Sequence, residues 1–190
     1  MRRLILMTIW GWPFLICLAQ VPVPDTNPLA PATKLEALGT NISTVIIKAT
    51  TEIGSVPVGP TVVSLRCREI TDVGSGRKEQ GIAVGLSQNG QSKATLLLDY
   101  DEINSLQNGI DYLIKIDFSV TPLNVFDATF TTKGGFRIAA LGRQRTGVIQ
   151  FAIRDARTDL PPVILSRAEL ARFAALLDEA KKKLDSLRGG

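Results

Sequence analysis

Leu96-Leu97-Leu98-Asp99-Tyr100-Asp101-Glu102-Ile103 and Val163-Ile164-Leu165-Ser166-Arg167-Ala168-Glu169-Leu170 decide the fold of this 190-residue chain. Each is a three-residue apolar run, then a residue that can cap a helix, then a glutamate three positions on. That spacing is the capping box, in which the two side chains satisfy the free N–H groups of the first helical turn. Laid together at a constant offset of 67, Asp99 meets Ser166, Glu102 meets Glu169, Ile103 meets Leu170, Leu106 meets Phe173 and Ile110 meets Leu177. Such self-similarity marks a tandem of two like units, each a set of strands leading into a capped helix.

Moving outward, each helix has an apolar stripe at 3.6-residue spacing: Ile103, Leu106, Ile110 and Leu113 in the first, Leu170, Phe173, Leu177 and Leu184 in the second. Gly109 lies inside the first stripe and costs about 1 kcal/mol against alanine. Asp178, Glu179, Lys182 and Lys183 form the polar face of the second, with charge pairs four apart.

Ahead of each helix the period falls to two. Val45-Ile46-Ile47 opens a strand reaching about Ile53. Val63, Leu65 and Cys67 alternate with Ser64, Arg66 and Arg68, and Ile82, Val84 and Leu86 alternate likewise. Asn89-Gly90 is a hairpin turn into Leu96-Leu97-Leu98. In the second unit Phe126, Ala128 and Phe130 precede a Gly134-Gly135 turn. Phe136, Ile138 and Ala140 follow, then the loop 142–147, then Ile149, Phe151 and Ile153. The expected fold is α+β: two tandem β-β-β-β-α units with antiparallel sheets, each packed by one helix, over residues 45–117 and 122–187. Both belong to a single globular domain over 33–190. Thr33-Lys34-Leu35-Glu36 is a third capping box, opening a short helix that Gly39 ends.

Residues 1–19 read as a secretory signal peptide. Arg2-Arg3 precedes an apolar run broken by Gly11 and Pro13, and Cys17 and Ala19 are the small residues of a cut before Gln20. The run is too short for a spanning helix, which needs roughly 20 apolar residues, and the mature chain is expected to have no membrane span. Residues 20–32 carry Pro22, Pro24, Pro28 and Pro31, a stiff solvated spacer. The expected localisation is periplasmic or extracellular.

After cleavage the chain keeps one cysteine, Cys67, on the apolar face of its strand, so no internal disulfide forms and stability comes from the core. With no histidine in the chain, a Ser-His-Asp or Cys-His arrangement and the usual zinc sites are excluded. The acids Asp99, Asp101 and Glu102 suggest calcium, but Ile103 and Asn104 stand where a calcium loop needs an oxygen ligand and a glycine, and helix capping accounts for Asp99 and Glu102. No catalytic, cofactor-binding or metal-ligating residue and no cofactor is expected, and the protein reads as a non-enzyme.

The mature chain has 20 basic and 18 acidic residues, unevenly spread: 12 basic and 6 acidic from Lys133 onward. Arg137, Arg143, Arg145, Arg154 and Arg157 are the candidate contacts for an anion or partner. Phe136 alternates with Arg137 and Phe151 with Gln150, so rings and cations face opposite ways, the reverse of what a base-stacking surface needs.

Two β4-α units over residues 45–187 resemble the layout of the Pur and Whirly families. The second unit is nearest, with Gly135-Phe136-Arg137-Ile138-Ala139-Ala140, Arg143, Arg145 and Gly147-Val148-Ile149-Gln150-Phe151. The resemblance implies sheets that bind single-stranded nucleic acid, which the parity of the phenylalanines opposes. Separately, Leu98–Ile103 with Gly109-Ile110-Asp111-Tyr112 resembles a group of uncharacterised exported bacterial proteins, which brings no activity with it. The expected function is that of an exported, non-catalytic module of the cell envelope binding an envelope protein or itself. The alternative is single-stranded nucleic-acid or polyanion binding through the basic sheet and hairpin.

Overall fold

The computed structural model describes residues 31–188. The signal peptide and residues 20–30 of the spacer lie outside the described residues. A short helix, α1 (Lys34–Gly39), leads into strands β1 (Ile46–Val58), β2 (Thr61–Asp72), β3 (Lys78–Gln88) and β4 (Gln91–Asp99). A single 3-10 turn joins β4 to helix α2 (Ile103–Lys115). The pattern repeats as β5 (Val125–Thr131), β6 (Phe136–Arg143), β7 (Val148–Asp155), β8 (Val163–Leu165) and helix α3 (Arg167–Arg188). Each set of four strands forms one antiparallel sheet in sequence order. The expected α+β fold of two tandem β4-α units is therefore the one observed.

The apolar parities land where the period of two puts them. Val63, Leu65, Ile82, Val84, Leu96 and Leu98 of the first sheet are buried, as are Phe136, Ile138, Ala140, Phe151 and Ile153 of the second. They share one core with the helix stripes Ile103, Leu106, Ile110, Leu113 and Leu170, Phe173, Leu177, Leu184. A fully buried leucine or phenylalanine contributes roughly 1.5–3 kcal/mol, so this common core dominates stability.

The helices do not stay with their own sheets. Phe173 of α3 stacks on Phe136 of β6 at 5.6 Å between ring centroids. Further along the same helix, the Ala180 carbonyl accepts a hydrogen bond from the Cys67 thiol of β2 at 3.4 Å. Helix α3 thus packs on β1 and β2 of the other unit as well as on β7 and β8. Helix α2 packs on β5 and β6 and crosses α3. Gly109 has a reason here: a Cβ there would lie 2.7 Å from the Phe130 ring of β5, so glycine lets α2 approach the second sheet.

Strand β1 runs past Ile53 to Val58, further than the alternation alone suggests. A bulge between Glu52 and Gly54 resets the register, and Pro57 is tolerated because β1 lies at the sheet edge. Helix α1 covers part of the opposite face of the first sheet, with Leu35 and Leu38 on Ile70, Ala83 and Leu97. Its N-terminus is capped twice. The Thr33 hydroxyl accepts the Glu36 N–H at 3.0 Å, and the Asp99 carboxylate at the end of β4 accepts the Lys34 and Leu35 N–H groups at 2.8 and 3.1 Å. Asp99 therefore serves a helix 65 residues away.

The β5–β6 turn docks on β4. A Cβ on Gly134 would sit 2.1 Å from the Leu97 carbonyl oxygen, and the Lys133 N–H donates to the Glu102 carboxylate at 2.7 Å. Gly134→Ala is expected to lower stability in urea denaturation by about 1–3 kcal/mol, the cost of forced overpacking against backbone. Lys133→Ala at the neighbouring exposed position should change it little.

At the other end of the first sheet, Asp72 ties the start of β1 to the β2–β3 turn. Its carboxylate accepts from the Thr44 hydroxyl at 2.6 Å, the Ser75 hydroxyl at 2.8 Å, the Asn41 amide at 3.0 Å and the Gly74 N–H at 3.0 Å. These bonds, that from Thr44 foremost, hold its pKa well below the ordinary carboxylate value. The ionised clamp hence stabilises the fold above the unfolded-state value of about 4, and that contribution is lost as pH falls below it. Thermal melting should show a shallower loss of stability between roughly pH 5 and pH 2 in Asp72→Asn than in the unaltered protein.

Candidate interaction surface

The outer face of the second sheet differs from that of the first in having no helix over it among the described residues. By register its rows read Val125, Asp127, Thr129 and Thr131 on β5; Arg137, Ala139, Leu141 and Arg143 on β6; Val148, Gln150, Ala152 and Arg154 on β7; and Ile164 on β8. Val125, Val148 and Ile164 are 61%, 47% and 46% exposed. A shallow depression beside them is lined by Leu141, Arg143, Thr146, Val148 and Gln150.

The five candidate arginines divide into three groups. Arg137 and Arg154 are direct cross-strand partners on the two central strands, in the end row of the open face. The Arg137 Nε donates to the Thr131 hydroxyl at 3.0 Å, whereas the Arg154 Nε is buried without an acceptor. No carboxylate lies within ion-pair distance of either among the described residues. Ala139 and Ala152, the next pair along, are a buried floor beside them.

Arg143 ends β6, and Arg145 lies in the 3-10 turn Gln144–Thr146 at the hairpin tip; both are exposed. They stand six and eight positions along the chain from Arg137, roughly 20 Å or more for extended backbone. Arg157 is spent on structure. Its guanidinium pairs with Glu36 of α1 at 2.8 Å and with Asp155 at 3.7 Å, fastening α1 to the second unit. It is accordingly no free contact.

The acids after β4 and the cysteine of β2 are likewise engaged in the fold. Asp101 pairs with Lys34 at 2.9 Å and Lys133 at 3.7 Å, and the Lys34 hydrogen bond holds its pKa below the usual range. Glu102 accepts the Asp99 N–H at 3.4 Å. Cys67 is 4% exposed, and burial pushes its thiol pKa up, away from the reactive thiolate. Among the described residues no three acid or cysteine side chains gather as metal ligands, and no helix is long and apolar enough to cross a membrane.

The arginines could be picked out by charge, and parity correctly placed Phe136 and Phe151 in the core, at 0% and 1% exposure. Val125, Leu141, Val148 and Ile164 escaped notice as surface residues. The signal for them lies in the same parity: they are apolar residues on the rows opposite to Phe136 and Phe151.

Together these features define a helix-and-sheet module in which, among the described residues, one apolar and basic sheet face is left bare. No family model matches the chain, and no curated protein or solved structure matches it.

Proposed function

We propose that the protein is a non-catalytic interaction module of the cell envelope, and that it holds a partner protein on the outer face of its second sheet. The observation that carries this reading is the combination on that face of exposed Val125, Val148 and Ile164 with the un-neutralised pair Arg137 and Arg154. Apolar contact supplies affinity, and two adjacent guanidinium groups select carboxylates through charge-assisted hydrogen bonds. The partner is accordingly one that offers acidic side chains to the arginine pair and apolar ones along the rest of the face.

Binding of single-stranded nucleic acid or another polyanion is the second reading, favoured by Arg143 and Arg145 at the exposed hairpin tip. Against nucleic acid, every described phenylalanine of the second sheet lies on the core parity, leaving no ring on which a base could stack beside the cations. The compartment, which rests on the signal-peptide reading of residues 1–19, points the same way.

Affinity capture from envelope extract distinguishes the two. The unaltered protein should retain a specific protein through a high-salt wash, and Arg137→Glu/Arg154→Glu should retain at least about tenfold less of it. Lys182→Glu on the far helix should behave as the unaltered protein does. Equal retention by the Arg137→Glu/Arg154→Glu variant would reject this face as the contact. Capture of nucleic acid or anionic polymer alone, shed steeply by salt, would favour the second reading.

A further inference from the structure

Strand β1 offers a second surface, independent of the open face. It is the edge strand of the first sheet, and Ile47, Lys48, Ala49, Thr50, Thr51 and Glu52 are all exposed. Exposed Val45 and Val73, 65% and 53% accessible, continue the same end of the sheet. Natural edge strands are usually blunted by proline, bulges, charge or a covering element, because bare N–H and C=O groups recruit another strand. Here the bulge and Pro57 protect only the second half. The first half, Ile46-Ile47-Lys48-Ala49-Thr50-Thr51-Glu52, has neither proline nor glycine, is rich in β-branched residues and has no net charge. That is the composition of a segment that pairs.

We propose that this edge pairs antiparallel with β1 of a second copy of the chain, about a two-fold axis at Thr50. In a two-fold contact each residue meets its partner reciprocally. With the axis at Thr50, Lys48 stands opposite Glu52 of the other copy and Glu52 opposite its Lys48. Both residues occupy one face of the sheet, Lys48 level with Ile70 and Glu52 level with Arg66. Neither has an ion-pair partner within its own chain among the described residues. On the other face Ala49 meets Thr51 and Ile47 meets Ile53.

The charges select this register. Moving the axis by one residue, to Ala49 or Thr51, sets both charges against neutral residues. Moving it by two sets Lys48 against Lys48 or Glu52 against Glu52, which is repulsive. The product is a continuous eight-stranded sheet across two copies, presenting two open faces for partners and hence bivalent binding.

Sedimentation and cross-linking of the purified protein test this. The unaltered protein should sediment as a dimer. Lys48→Glu, which makes two like-charge pairs, should associate about tenfold more weakly. Lys48→Glu/Glu52→Lys, which restores both pairs with signs reversed, should recover the association. In the mature protein, whose one native cysteine, Cys67, is buried, Thr50→Cys should form a disulfide-linked dimer on oxidation, since directly opposed residues lie within disulfide reach. Ser55→Cys, displaced from the axis, should not. A monomer at all concentrations, a charge-reversed double variant as weak as the single one, or equal cross-linking at both cysteine positions would overturn the proposal.

Discussion

Helix α3 reaches both sheets, and the rest of the structure depends on that contact. Its first half sets Phe173 against Phe136 of the sheet it follows, and its second half sets Ala180 against Cys67 of the sheet it does not. Helix α2 answers by lying on β5 and β6, close enough for Gly109 to touch Phe130. Neither unit can bury its helix stripe and its sheet face alone, so the two β4-α units share one core. The smaller ties at the seam, from Glu102 to the Lys133 N–H and from Arg157 to Glu36, fix the relative placement that the apolar core makes favourable.

The two units diverge on their outer faces. The first sheet carries α1 there, seated on Ile70, Ala83 and Leu97 and capped by Asp99. The second has Ala139 and Ala152 as a floor, Arg137 and Arg154 at one end with Ile164 one row away, and exposed Val125 and Val148 beside Arg143 at the other end. Among the described residues one outer face is thus closed from within and the other is left bare.

Much of this was legible in the chain. The capping boxes at Thr33, Asp99 and Ser166 and the stripes they precede located all three helices, because caps and 3.6-residue periodicity are local signals. Alternation placed the central strands and assigned the core phenylalanines. What the pattern could not express is partnership at long range. An apolar stripe specifies a buried face without saying which sheet will cover it, so the exchange of helices between units was invisible. For the same reason the pattern shows Asp99 only as a cap for the helix that follows it, where the capping box does form, and not that its carboxylate also reaches back to α1. Of the candidate contacts, the Arg137 and Arg154 pairing follows from strand register, which turn lengths alone do not fix. Arg157 looked free because Glu36 lies 121 residues away in sequence. The continuation of β1 through Gly54 and Pro57 was hidden by the bulge, which breaks the alternation that marks a strand.

Native-state hydrogen exchange in rising urea tests the shared core most directly, following peptides from β3 (Lys78–Gln88) and β6 (Phe136–Arg143), the second or third strands of the two sheets. If the units are interwoven, both peptides lose protection together, with the same opening free energy and the same dependence on urea. Loss of protection in β6 while β3 stays protected, or the reverse, would show two bodies that open separately and would contradict this account.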